Sequence, residues 1–470
     1  MDPVRVTRTI GATDVSFDSG RLAMLAHGSV VVTLGETQVL VTCTSGKPRE
    51  GIDFFPLTVD VEERMYAAGK IPGGFFRREG RPSETAILTA RLIDRPLRPT
   101  FRERFRQEVH VVVTVLSADM ANPYDIPGIN GAGLAASLAG LPFDGPVAAV
   151  RVGLIGGRWK INPTYQDMDL ATFDMVVAGR KNDQGQVDIL MVEAEAPEEA
   201  VRLMAEGELA PTEDVVNDGL EEAKRAIGEI VELQRELIQK LGVTEGEFPM
   251  DEGTDPEVVS AVDDFAGRRI ADALKIADKT ERNAALDAAK AELVEHLTST
   301  WGEETYEQRA AVVSRYFKDL QKNAMRRRII EEGVRIDGRG PEEIRPISSD
   351  VGLIPRAHGS ALFQRGETQV LNVSTLGMLR MTQMIDTLDP EESKRYMHHY
   401  NFPPFSTGET GFMRGPKRRE IGHGALAERA LIPVIPPEGE FPYALRLVSD
   451  VLQSNGSTSM ASVCASTLSL

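Results

Sequence analysis

An α+β fold in which one mixed unit occurs twice, with an all-helical domain between the copies and the second copy incomplete, is what this sequence predicts. A repeated sentence is the first reason. Ala26-His27-Gly28-Ser29 and Gly35-Glu36-Thr37-Gln38-Val39-Leu40 return as Ala357-His358-Gly359-Ser360 and Gly366-Glu367-Thr368-Gln369-Val370-Leu371. Both blocks keep one offset of 331 residues (26 to 357, 35 to 366), so the stretches between them also match in length. Units of this size, far longer than solenoid repeats, imply a duplicated domain whose halves can divide their duties. The second reason is a change of texture from about 197 to 330, where Glu, Ala, Lys and Arg dominate and apolar residues recur at helical spacing. The third is that a first copy ending near 205, shifted by 331, would end near 536, whereas the sequence stops at Leu470.

The elements follow in order. Ser29–Thr33 and Thr37–Thr44 are β-rich runs around Leu34-Gly35-Glu36 and predict a hairpin. Val109–Leu116 is nearly all β-branched and predicts a strand buried on both faces. Gly131–Leu141 is rich in small residues and helical, closing at Pro142. Phe173–Val177 and Asp188–Val192 predict strands joined by a polar turn at Asn182-Asp183-Gln184-Gly185. One helical stripe is Val215, Leu220, Ala223, Ile227, Ile230 and Leu233; another is Val258, Val262, Phe265, Ile270 and Leu274, with a polar break at Asp251–Asp255 between them. Ile336-Asp337-Gly338-Arg339 opens the second mixed unit. The domains are therefore placed at 1–205, 206–330 and 331–470.

Composition excludes several classes. With 41% hydrophobic and 26% charged residues the chain is an ordinary globular one, and it has no apolar run near the roughly 20 residues of a membrane span. It opens Met1-Asp2-Pro3-Val4 without a secretion segment. Cys43 and Cys464 are too few for a disulfide framework or a CxxC metal site and are expected as small core residues, in a reducing cytoplasm. A net charge of −18 argues against indiscriminate polyanion binding, but its distribution matters more. Nine arginines fall between Arg77 and Arg106, and a second cluster is Arg414, Lys417, Arg418 and Arg419. Each reads either as a focused anion path or as a salt-bridged face.

Three constellations could carry chemistry. Ser454-Asn455-Gly456-Ser457-Thr458-Ser459 lies between an extended run, Tyr443–Val451, and a small-residue helical segment, Met460–Leu470. A Gly-Ser-Thr-Ser turn at a helix N-terminus offers free amides, hydroxyls and the positive end of a dipole to phosphate oxygens, although Ser and Thr also simply cap helices. An offset of 332 sets Ser457, Thr458 and Ser459 against Asp125, Ile126 and Pro127, a disarmed counterpart. Next, Lys417-Arg418-Arg419-Glu420-Ile421-Gly422-His423 brings paired arginines, suited to phosphodiester oxygens, close to a histidine. Third, Phe75-Phe76-Arg77-Arg78 follows Pro72-Gly73-Gly74, a loop in which rings could stack bases while guanidinium groups hold the backbone. Asp60-Val61-Glu62-Glu63 reads as a solvated acidic cluster, and His398-His399 as neighbours on opposite faces of a strand.

These residues resemble the bacterial polyribonucleotide nucleotidyltransferase (polynucleotide phosphorylase) family. The resemblance runs in order through essentially all 470 residues. It is most specific at Phe54-Phe55-Pro56-Leu57-Thr58-Val59-Asp60, from Phe75 to Pro99, at Tyr400-Asn401-Phe402-Pro403-Pro404-Phe405, from Gly415 to Gly424 and from Ser454 to Cys464. It implies two RNase PH-like domains (ribosomal protein S5 domain 2-like) joined by an all-helical domain, in a cytoplasmic homotrimeric ring that draws single-stranded RNA 3′ ends through a central channel. It implies phosphorolytic 3′-to-5′ exoribonuclease activity in mRNA degradation, with inorganic phosphate as co-substrate, nucleoside diphosphates as products, reverse polymerisation, and partners in an RNA-degradation complex. By resemblance Ser457, Thr458 and Ser459 bind phosphate; Arg418, Arg419 and His423 are catalytic; and Phe75, Phe76, Arg77 and Arg78 grip RNA. The family's Mg²⁺ aspartates are expected beyond residue 470, with no metal ligand within this chain. The matching first-copy stretch, Asp174-Met175-Val176, has Val where the family's active segment has Lys. A non-catalytic RNA-binding or ring-assembly role therefore stays open as the alternative.

Overall fold

Alternating β-branched residues set the first sheet of the computed structural model, which describes residues 3–48, 52, 54–250, 253, 255–413 and 415–470. Arg414 of the second basic cluster and Asp251 of the polar break lie outside them. The chain divides into two units, one of Met1–Pro48, Pro56–Pro249 and Ile347–Leu470, the other of Arg49–Phe55 and Met250–Pro346.

In the first unit, strands β1 (Val4–Ile10), β2 (Thr13–Ser19), β3 (Gly28–Leu34), β4 (Thr37–Ser45), β5 (Leu57–Glu63) and β6 (Val109–Ser117) form a sheet ordered β1-β2-β3-β4-β6-β5. Only the β5–β6 pair is parallel. The β3–β4 hairpin stands where the sequence placed it. The β6 expectation needs correcting: Val109, Val111, Val113 and Val115 are buried, but His110 is exposed and Val112 and Thr114 are half-buried. Helices α1 (Glu84–Leu97) and α2 (Asp125–Leu138) pack on that one face, so β-branched residues on the other serve strand propensity rather than a core.

Helix α2 starts six residues before the predicted Gly131 and ends at Leu138, not Leu141. Its small residues have a packing reason. It is buried nearly all round, between the first sheet and a second, antiparallel one ordered β10-β9-β7-β8. The strands there are β7 (Ala148–Ile155), β8 (Arg158–Ile161), β9 (Ala171–Lys181) and β10 (Val187–Glu195), with short helices α3 (Tyr165–Met168) and α4 (Ala200–Ala205) beside them. A Cβ on Gly131 would strike Val41, and one on Gly133 would strike the Val147 carbonyl.

Helix α5 (Glu213–Leu241) corrects the predicted boundary at 206. Its stripe of Ala223, Ile227, Ile230 and Leu233 packs on β1, β7 and β9, so this helix belongs with the first unit. The stripe announces an amphipathic helix without saying which surface it covers. The second unit holds α6 (Pro256–Ala273), α7 (Lys279–Trp301) and α8 (Glu303–Glu332), joined through Val258, Val262, Ile270, Leu293, Leu297 and Phe317. Asp255 and Asp278 cap the first two helices.

The second copy repeats the design. Its strands are β11 (Ile347–Val351), β12 (Gly359–Arg365), β13 (Thr368–Gly377), the small hairpin β14 (Gln383–Met384) and β15 (Ser393–Lys394), then β16 (Tyr396–Asn401) and β17 (Ala444–Gln453). The sheet order β11-β12-β13-β17-β16 matches β2-β3-β4-β6-β5, with β16 and β17 parallel. Even the register irregularity recurs, at Gln38/Val39 and at Gln369/Val370. Helices α9 (Arg418–Leu431) and α10 (Thr458–Ser469) stand for α1 and α2. No helix among the described residues is long and apolar enough to cross a membrane.

Candidate functional site

The repeated sentence turns out to be the mounting of a helix. Gly28 and Gly359 lie so close to α2 and α10 that a Cβ would strike the carbonyl of Ala135 or of Ser469. The imidazole Nδ1 of His27 accepts the Ser45 amide, and that of His358 the Leu376 amide, again 331 residues apart. Thr37 and Thr368, both fully buried, hold the turn that feeds the helix. Thr37 accepts the Asp119 amide and donates to the Asn122 carbonyl; Thr368 accepts the Asn455 amide, while Asn455 also donates to Glu367. Each copy thus delivers a helix N-terminus to the same corner of its sheet.

In the second copy that corner is shaped for an anion. Gly456, at φ +134°, takes a backbone conformation that favours glycine and turns the chain into α10. Ser457 caps the helix, accepting the Met460 amide at 3.4 Å, and its hydroxyl lies 3.4 Å from that of Ser459. First-turn amides have no acceptor within the helix and carry the positive end of its dipole. The Thr458 hydroxyl is buried against Tyr400 (2.6 Å), so its side chain fixes the turn while Ser457 and Ser459 supply hydroxyls. Arg365 donates to the Ser457 carbonyl at 3.1 Å.

Helix α9 brings its groups up beside this turn. Glu420 starts the helix by accepting the amides of Lys417 (2.9 Å) and Phe402 (3.0 Å). Successive helical residues point roughly 100° apart, and the two arginines accordingly separate. Arg419 lies over the Phe402 ring, 4.2 Å from its centroid, whereas Arg418 turns to first-copy strand β5, binding Asp60 and the Val59 carbonyl. Asp60 also meets His110 at 2.8 Å, and Glu63 accepts the Tyr124 hydroxyl, so this acidic run is a set of anchors, which corrects the solvated reading. Burial, with Arg419 and Arg91 adding repulsion, pushes the His423 pKa down to about 4. The imidazole is neutral at pH 7, sits edge-on to Tyr400, and its buried Nδ1 has no partner within the chain.

The first copy's corner is filled from within. The contacts of Gly28 with Ala135 and of Gly359 with Ser469 put the two helices 334 residues apart, correcting the 332 alignment, so Asp125 stands opposite Ser459. Arg151 reaches the Asp125 carboxylate at 2.7 Å and the buried Asp174 at 2.6 Å. Burial works against its charge, yet Asp174, Asp125 and Glu195 outweigh that and hold its pKa well above the usual value. A cavity of about 220 Å³ remains here, walled by Tyr124, Tyr165, Glu193 and Asp389 among others. The corner that receives an anion in one copy is occupied by a carboxylate and its own guanidinium in the other.

The loop carrying Phe75 and Phe76 projects as expected, with the side chains 93% and 87% exposed and the rings edge-to-face at 5.4 Å. Arg77 (φ +50°) donates to the carbonyls of Pro72 and Gly73, Asp386 accepts the Gly73 amide at 2.7 Å, and Arg78 is exposed. Glu79 clamps the loop base by accepting the Met65 amide. Within the nine-arginine stretch, Arg95, Arg98 and Arg102 are committed to Glu193, Asp94 and Glu245. Arg91 packs against Gly422 of α9. Part of the cluster is thus a salt-bridged face, and part faces α9.

Sequence reasoning missed Arg365, Tyr400 and Arg91. The first two had a signal, since Leu34 and Val61 occupy the corresponding first-copy positions. It also missed a polar core. His398, buried as the facing rule required, accepts or donates at Gly424 of α9 (3.2 Å), Ser449 of β17 (3.1 Å) and Ser466 of α10 (2.9 Å). Its amide donates to Glu428, which also holds Lys394, and Asn372 donates to Ser449 and Ser466. The first copy has Val41 where the second has Asn372, and its core there is valine and glycine. Burial pushes the His398 pKa down to about 4, with His399 and Lys394 in the same direction and the Gly424 carbonyl opposing. An unfolded chain would protonate this imidazole near pH 6.5, so its contribution is complete above that pH and is lost as pH falls toward 4. The loss amounts to about 3 kcal/mol. Urea midpoints measured between pH 7 and pH 4 should fall more steeply for the wild type than for His398→Asn.

Comparison with known proteins follows the same outline. The description "3' exoribonuclease family, domain 1" matches residues 13–142 and again 343–470, together more than half of the chain, and domain 2 of that family matches 145–226. Residues 257–340 match "Polyribonucleotide nucleotidyltransferase, RNA binding domain". Proteins named polyribonucleotide nucleotidyltransferase from Salinispora arenicola (strain CNS-205) and Saccharopolyspora erythraea are each 58% identical over 98% of this chain, which covers 58% and 61% of their lengths. The one from Salinispora tropica is 57% identical with the same coverage as its congener. The chain spans about three fifths of the length of these relatives.

Proposed function

The chain belongs to the 3′ exoribonuclease family, and on that premise we propose that it takes part in phosphorolytic shortening of RNA from the 3′ end, releasing nucleoside diphosphates and reversibly polymerising them. The observation that carries this reading is the difference between the two helix N-termini: Ser457–Ser459 open to an anion, Asp125 closed by Arg151. Inorganic phosphate would sit on the first turn of α10, held by its amides and the hydroxyls of Ser457 and Ser459. One of its oxygens attacks the phosphorus of the last phosphodiester. The P–O3′ bond breaks, the 3′ oxygen takes up a proton, and the nucleoside 5′-diphosphate leaves. Arg419, steadied on Phe402, faces the charge that builds on the equatorial oxygens, and neutral His423 can donate a hydrogen bond from its free edge. Arg418 serves from the side, fastening α9 to β5 through Asp60.

Phe75, Phe76, Arg77 and Arg78 would hold the incoming single strand, bases on the rings and backbone on the guanidinium groups. The resemblance further supports a homotrimeric ring working in cytoplasmic mRNA degradation. The exposed Ile347 and Val351 of edge strand β11 favour association with another chain. Magnesium belongs to the reading as well, but the described residues do not fit it: no three carboxylate, imidazole or thiol groups are gathered as ligands, and Asp174 is committed to Arg151.

The chain incubated with oligoadenylate, Mg²⁺ and phosphate should release ADP only when phosphate is present. AMP formed without phosphate would indicate hydrolysis and sink the proposal. Salt-sensitive RNA binding without any turnover would favour the binding role instead.

A further inference from the structure

The RNA-gripping loop of the first copy has an unassigned counterpart in the second. Gly74-Phe75-Phe76 recurs as Gly411-Phe412-Met413, 337 residues on. Each triplet follows a short 3₁₀ turn closed by a left-handed glycine, Met65–Ala68 with Gly69 (φ +66°) and Pro404–Thr407 with Gly408 (φ +75°). Each precedes the corresponding helix, α1 or α9. Phe412 and Met413 are 86% and 77% exposed, a placement that core packing does not explain.

We propose that Phe412 and Met413 form a nucleobase subsite, which stacks a base of the RNA strand near its 3′ end, on the approach to the phosphate-binding turn. The proposal rests on the RNA reading above. Both side chains line a groove of about 830 Å³ together with Phe402, Phe405 and Arg419, and its wall includes Asp450 and Leu452 of β17, the strand that runs into Ser457. The groove thus joins the loop to the turn without leaving the second copy. Its charge decides what part of the strand it takes. Glu409 and Asp450 stand beside Lys417 and Arg419, a balance that repels a run of phosphates as much as it attracts one. Asp450 is occupied by the Asn401 amide group, and both oxygens of Glu420 by backbone amides. What remains is an aromatic ring, a polarizable thioether and two further phenyl rings, which suit the flat face of an uncharged base. Arg419 over Phe402 then marks the border where base gives way to phosphate.

The test uses oligoadenylate with 2-aminopurine near its 3′ end, titrated with the 470-residue chain. Wild type should quench the fluorophore on binding, as stacking requires. Phe412→Ala should lose the quench and weaken binding about tenfold, in line with the stacking of one base, and Phe412→Trp should restore both. An RNA that is abasic at the same position should bind wild type and Phe412→Ala alike, a result that a merely structural role for Phe412 would not give. If wild type binds and quenches but Phe412→Ala matches it, or if the variant loses as much affinity for the abasic strand, the subsite is wrong while the RNA reading stands. If wild type fails to bind oligoadenylate, both fall. Phe412 is exposed, so unfolding of the variant does not confuse these outcomes.

Discussion

Replacing Arg151 with alanine is expected to destabilise the first unit by about 3–5 kcal/mol, the cost of leaving buried charge without its partner. Two carboxylates depend on this one guanidinium. Asp125 and Asp174 are both largely buried, and burial pushes the Asp174 pKa up even with Arg151 in place. Without it, Asp174 would take up a proton more readily than in the unfolded chain. The deficit should therefore be largest at neutral pH and shrink as pH falls through the raised pKa. Chemical denaturation at pH 7.5 and pH 5 measures both parts. The combination Arg151→Met, Asp125→Asn and Asp174→Asn should recover much of the loss, because it removes the charges together rather than stranding two. A single variant as stable as wild type at pH 7.5 would mean that the triad is solvated and does not close the corner.

Ser459→Asp is expected to weaken phosphate binding by a hundredfold or more. This substitution copies into the second copy the carboxylate that Asp125 places at the same point of α2. Two like charges about 4 Å apart repel by roughly 4 kcal/mol at an effective dielectric constant near 20. The fold should not suffer, since a carboxylate in the first turn of a helix stabilises it by about 0.3–1 kcal/mol. Affinity and stability thus move in opposite directions, which separates a binding role from a structural one. Phosphate titration followed by ³¹P NMR, alongside thermal unfolding, reads both. Ser459→Asn, which has the shape without the charge, should lose far less. Undiminished phosphate affinity in Ser459→Asp would remove the helix N-terminus from the site.

The duplication was legible because its residues serve backbone geometry: a glycine under a helix, a histidine on an amide, a threonine at a turn. Such constraints admit few substitutes, so both copies still spell them alike. The phosphate turn was legible for the same reason, and comparison of the copies exposed its disarmed twin, although the true helix offset needed the Gly28 and Gly359 contacts. Arg365 was within reach of that comparison, as an arginine where the first copy has Leu34. The separation of Arg418 from Arg419 was not, because adjacency in sequence hides the turn of a helix between them. Nor was the destination of α5, since a stripe of Ile and Leu names a buried face but no partner. His398 showed only that it faces inward; its hydrogen bonds join three distant segments.

That buried network around His398 and Asn372 also sets how the two halves can drift over generations. A core of Val32, Val41 and Val113 answers mainly to volume, so aliphatic exchanges that conserve size cost little there. In the second copy, altering Asn372, Ser449 or Ser466 strands a neighbour whose hydrogen bond has no substitute in the interior. Neutral change is therefore open to one core and requires concerted steps in the other. Two domains of common ancestry and identical strand order thus carry unequal mutational tolerance, and the narrower allowance falls on the half that presents Ser457, Arg419 and His423.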